Sequence, residues 1–130
     1  INTGEYNPLE RNYVYQYNRE LKVEKMKEAL ELFEGTHDFT SFVSSEDTRE
    51  NKTRTIYKTS LNQKGKLIEI HFQADGFMKY QVRNMIGLLL AIGNDKKEVE
   101  DVSISLQAKS RQRAVKTAPA AGLYLKKVWY

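Results

Sequence analysis

Along VEKMKEALELFEG, residues 23–35, the apolar positions Val23, Met26, Leu30 and Phe33 recur at helical spacing, and Lys and Glu fill most of the others. One apolar stripe on a charged cylinder predicts an amphipathic helix facing a core. Gly35 is a natural C-terminal stop for it. Further on, the period shortens to two. In GKLIEIHFQA, Ile68, Ile70 and Phe72 alternate with Glu69, His71 and Gln73, the pattern of a strand with one buried face. TRTIYKTSL precedes it as a second strand. NQKG between them reads as a hairpin turn, with Gly65 where a positive φ is needed. The next run, FMKYQVRNMIG and beyond, is apolar almost all round over its last three turns, which predicts a buried central helix from about Met78 to Ile92. Gly93-Asn94-Asp95 ends it and offers a cap for another helix, about Lys96 to Ala108, with Val99, Val102 and Leu106 inward. The chain closes on a strand pattern, LYLKKVWY.

The connecting stretches are polar. Ser44 to Lys52 reads as a loop, and KSRQRAVKTAPAAG as a basic loop broken at Pro119. Near the start, RNYVYQYN reads as a short strand with Tyr13, Tyr15 and Tyr17 on one face. Such a row either stacks on nucleic-acid bases or packs as half-buried sheet surface. There is no internal repeat. The order helix, two strands, helix, helix, strand predicts an α+β domain, with helices packed on an antiparallel sheet.

Composition narrows the function. At 130 residues the chain suits one domain with a real core. No run of about 18 apolar residues occurs, so no membrane helix is expected, and no signal-peptide pattern opens the chain. It starts on Ile1 rather than Met, which suggests part of a longer or processed protein. Absence of cysteine excludes disulfides, thiol catalysis and Cys-based zinc sites. His37 and His71 are not spaced like metal ligands. A reducing cytoplasm is the expected compartment. Residues 1–75 carry 11 Lys+Arg against 13 Asp+Glu, while residues 76–130 carry 10 against 4. That basic C-terminal part suits a polyanion such as RNA, or is a solvated surface.

One residue resists the core reading. Arg83 lies inside the apolar helix, where an unpaired guanidinium is costly to bury. Either it snorkels from the first turn to the surface, or an acid or phosphate meets it.

Five segments, in order and at matching spacing, resemble the C-terminal half of the TruA family of tRNA pseudouridine synthases. They are GTHDFTSF at 35–42, RTI at 54–56, GFMKYQVRNMIG at 76–87, Arg111, and APAAGLYLKKVWY at 118–130. NPLERNYVYQYN is similar to a connecting segment of some bacterial members, which would make 1–21 a link between halves of the enzyme. The resemblance implies the pseudouridine synthase C-terminal fold. It also implies isomerisation of uridines in the tRNA anticodon stem-loop, with no cofactor and no metal: the N1–C1′ bond breaks, the uracil turns, and it rejoins through C5. The family's catalytic aspartate lies in an RTD motif of the N-terminal half, and a stacking tyrosine in a YRY-like strand. Neither motif occurs here. Asp38 and Asp75 read as turn or strand-end residues and do not replace that aspartate.

By the same resemblance Arg83 pairs with the aspartate of the other half, lowering its pKa and orienting it. Leu123 lines the uracil pocket, or is simply a core leucine. Arg49, Lys52, Arg54, Lys79, Arg111, Arg113 and Lys116 are candidate phosphate contacts. Gln81 departs from the family, which usually has an apolar residue there. The expected partners are tRNA, the N-terminal half and a second copy in a homodimer, and the chain alone is expected to be inactive. The competing reading is a non-catalytic basic RNA-binding or assembly module.

Overall fold

The alternation in LIEIHFQA is realised as a strand because its apolar set has a helix layer to face. In the computed structural model, which describes residues 1, 17, 20–44, 47–48, 50–78 and 80–108, β2 (Thr53–Lys64) and β3 (Leu67–Ala74) form a long antiparallel hairpin. Ile56, Leu61 and Ile68 are buried from it. α1 (Val23–Glu31) and α2 (Gln81–Gly93) supply the apposed layer, with Met26, Leu30, Met85, Leu89 and Ile92 in the same core. α3 (Asp101–Ala108) adds Val102 and Leu106, both buried as expected, while Val99 before it is only partly buried. The fold is α+β, with helices packed on an antiparallel sheet.

Several boundaries differ from the sequence reading, each for a local reason. α1 stops at Glu31, and Leu32, Phe33 and Glu34 continue in tight i→i−3 bonds. Gly35 is not its stop. With φ +102 it opens a third strand, β1 (Gly35–Asp38), which pairs antiparallel with β2 from Gly35↔Ile56 to Asp38↔Thr53. The sheet order is therefore β1-β2-β3. The hairpin turn is the pair Gly65-Lys66, since Lys64 already pairs with Leu67. Gly65 has the expected positive φ, +60. α2 starts at Gln81 rather than Met78, and α3 at Asp101 rather than Lys96. The strand patterns at RNYVYQYN and LYLKKVWY lie outside the described residues, apart from Tyr17, whose hydroxyl accepts a hydrogen bond from Asn94 Nδ2 at 2.6 Å.

Two buried side chains stitch the layers where apolar packing alone would leave backbone groups unpaired. Asn84 Nδ2 donates to the Phe42 carbonyl at 2.7 Å, and the Ser41 hydroxyl to the Ser105 carbonyl at 2.6 Å. Both hold the short 3₁₀ turn Thr40–Phe42 against α2 and α3. At the far end of α2, the Gly93 carbonyl accepts the Lys22 N–H at 2.8 Å. A Cβ on Gly93 would meet Met26 Sδ at 2.8 Å, so the two helices touch backbone to side chain there. No helix among the described residues is long and apolar enough to cross a membrane.

Candidate active-site arm

The entry to α2 is built as a tight turn. Gln81 N–H donates to the Met78 carbonyl at 3.0 Å, and Met78 N–H donates to Gln81 Oε1, also at 3.0 Å. Gln81 is fully buried by this arrangement, and its Nε2 has no hydrogen-bond partner among the described residues. The residue that breaks the apolar pattern thus acts as a side-chain cap on a backbone N–H. Tyr80 stands just before the helix with φ 65 and ψ 0, and its carbonyl accepts the Asn84 N–H at 2.8 Å.

Arg83 is in the first turn of α2 and is half-buried. Its guanidinium carbon lies 4.9 Å from the centroid of the Tyr80 ring, within cation–π range. A cation in the first turn opposes the helix macrodipole, whose N-terminal end is positive. Arg83 therefore does nothing for the helix by charge. Guanidinium and helix end together make one positive region suited to a carboxylate or phosphate. The snorkelling alternative is met only halfway, because the side chain is directed along its own first turn and remains partly covered.

Arg54 approaches the same connecting segment. It pairs in register with His37, and its Nη1 donates to the Thr53 carbonyl at 2.7 Å and the Asn51 carbonyl at 3.3 Å. A Cβ on Gly76 would lie 3.6 Å from Arg54 Nε. This guanidinium spends part of its donor set on its own turn, so the candidate phosphate contact also has a structural role. The Lys52 carbonyl accepts the Phe39 N–H at 2.9 Å, and the residue is half-buried. Arg49, Lys79, Arg111, Arg113, Lys116 and Leu123 lie outside the described residues.

The two aspartates have structural work. Asp38 Oδ1 accepts from the Thr40 N–H at 2.9 Å and the Thr40 hydroxyl at 2.5 Å. Asp75 Oδ1 accepts the Thr55 N–H at 3.0 Å, and its own N–H returns a bond to the Thr55 carbonyl at 3.1 Å. Among the described residues no three His, Asp or Glu side chains gather as a metal site would need. The sequence reading missed Tyr80. Its only signal was an aromatic three positions before the arginine, and the contact comes from the left-handed backbone at Tyr80, not from helical spacing.

Comparison with known proteins adds a context for this geometry. A family profile described as tRNA pseudouridine synthase matches residues 29–130. A protein of Geobacillus sp. (strain WCH70) called tRNA pseudouridine synthase A is 45% identical over 120 residues, which are 92% of this chain and 48% of that protein. One of the same name from Streptococcus pneumoniae (strain P1031) is 43% identical over 126 residues, 95% of this chain and 51% of its own. The chain spans about half the length of the curated relatives it matches.

Proposed function

We propose, from the premise that the chain belongs to the tRNA pseudouridine synthase family, that it is the C-terminal half of an enzyme isomerising uridines of the tRNA anticodon stem-loop. The observation that carries this reading is the position of Arg83. It is a half-buried guanidinium over an aromatic ring at the positive end of α2, an arrangement suited to receiving a carboxylate. In the proposed enzyme that carboxylate belongs to an aspartate of the N-terminal half.

The roles follow from elementary electrostatics. A carboxyl in a closed, base-filled pocket tends to keep its proton. A fixed guanidinium favours the ionised form and aims it, which the point charge of a lysine does less well. The ionised carboxylate then serves the isomerisation, in which the N1–C1′ bond breaks, the C5–C1′ bond forms, C5 gives up its proton and N1 gains one. Leu123 offers an apolar wall to the uracil, and the basic residues, from Arg49 and Lys52 to Lys116, hold phosphates while the base is drawn from its stack.

On the outer side of β3, Ile1 exchanges two backbone bonds with Ile68, at 2.8 and 2.7 Å. A second copy completes a homodimer, and a tRNA substrate together with a cysteine-free sequence suits the cytoplasm.

The test joins this chain to an N-terminal half carrying the RTD aspartate and measures tritium release from tRNA labelled at uridine C5. The expected result is release that depends on that aspartate. Arg83→Lys should lower kcat at least about ten-fold, or about 1.4 kcal/mol of transition-state stabilisation, with the fold unchanged by circular dichroism. Near-normal turnover in that variant would remove the orienting role.

A further inference from the structure

Tyr80 occupies a conformation that suits glycine. It is the third residue of the turn closed by Gln81 N–H and the Met78 carbonyl, and its φ 65, ψ 0 are those of the third position of a type II turn. A bulky residue there is strained, and such strain persists where the surroundings impose it and a function uses it. The first helical bond needs only the Tyr80 carbonyl, which glycine also has, and the ring is 41% exposed. The conformation does set the ring beside the Arg83 guanidinium, at 4.9 Å. An unrestrained arginine side chain spreads over many rotamers, and stacking on the Tyr80 ring removes much of that freedom.

We propose, resting on the reading of Arg83 as the partner of a carboxylate from the N-terminal half, that Tyr80 is a positioning residue. Its ring fixes the Arg83 guanidinium at the positive end of α2, ready for the acid, and its strained backbone is retained for that purpose. The hydroxyl has no part in this, so phenylalanine should substitute for tyrosine. Glycine should relieve the strain and lose the function.

The experiment compares Tyr80→Phe, Tyr80→Gly and Arg83→Lys in the joined full-length enzyme. Tyr80→Gly should unfold at the parent temperature or higher, because glycine accepts this backbone freely. Its kcat should fall about five-fold with KM within about two-fold, since an interaction made mainly in the transition state is weakened. Tyr80→Phe should stay within about two-fold of the parent on both constants. In an Arg83→Lys background, Tyr80→Gly should cost nothing further, the non-additivity expected of two residues acting as one unit. Parent-like kcat in Tyr80→Gly overturns the proposal, as does a fully additive loss.

A second readout does not depend on activity. The Nε–H proton of Arg83 should show a ring-current shift by NMR in the parent and in Tyr80→Phe, and lose it in Tyr80→Gly. If the parent forms no pseudouridine, the reading of Arg83 fails, and the resonance still decides whether the ring holds the guanidinium. An unshifted parent resonance overturns the proposal.

Discussion

Gly93 shows how little room a single position can leave. A methyl added there would approach Met26 Sδ to 2.8 Å and Leu21 Cδ2 to 3.0 Å. Met26 is fully buried. Gly93→Ala gains helix propensity, worth about 1 kcal/mol, but either displaces these core side chains or pushes α2 away from α1 and strains the Lys22 bond to the Gly93 carbonyl. Overpacking of this kind costs about 1–3 kcal/mol, so the net expectation is destabilisation, read as a lower urea midpoint with an unchanged slope. A midpoint at or above the parent value would mean that the helices part more easily than their contact suggests. Gln81 makes the opposite point. It looked like an intrusion of polarity into an apolar helix, yet its Oε1 satisfies the Met78 N–H of the turn that precedes the helix.

At the scale of elements, what the sequence revealed depended on periodicity, and what it hid depended on partners. α1, β2, β3 and most of α2 were legible because their apolar residues repeat over several turns or pleats. β1 was not legible. GTHD has four residues and no alternation, and it is a strand only because β2 offers it a register, aided by the contact of the Thr36 and Thr55 hydroxyls at 2.7 Å. The start of α2 was misplaced because a left-handed tyrosine leaves no mark in a hydrophobic pattern. The site followed the same rule. Arg83 stood out as a charge in an apolar run, and the role proposed for it came from resemblance, whereas its contact with Tyr80 needed the backbone.

The join between α1 and β1 carries a pH-dependent link. Glu34 accepts from the Thr59 N–H at 2.9 Å and the Thr59 hydroxyl at 2.6 Å. These bonds, the hydroxyl's first, hold its carboxyl below the usual range, with Lys58 assisting. A folded pKa below the unfolded one means stability that is present above the ordinary glutamate value and lost as pH falls through the folded one. Glu34→Gln keeps an acceptor but no charge. Its deficit in urea midpoint should be largest near neutral pH and shrink as pH falls below about 4.5, the ordinary glutamate value. A deficit constant with pH would show that the charge contributes nothing. The carboxylate is exposed, so the effect is modest.

For the whole molecule, the question is whether the basic excess of residues 76–130 serves a polyanion. Charge that merely keeps a surface solvated gives weak binding to any anion, without a stable stoichiometry. Charge that grips a tRNA backbone releases counterions, and the logarithm of the association constant then falls linearly with that of salt, by about 0.9 per phosphate neutralised on a duplex. The joined enzyme should show a slope equivalent to several phosphates. Replacing Arg111, Arg113 or Lys116 by Ala should each lower that slope by about one. Arg54→Ala should behave differently: its guanidinium also ties Thr53 and Asn51 together and lies against Gly76, so both slope and stability should fall. If instead the slope is flat and none of the four substitutions moves it, tRNA is not held by this half. The basic excess is then a solvated face, and the contribution of the chain to the enzyme reduces to the arm of α2 that presents Arg83.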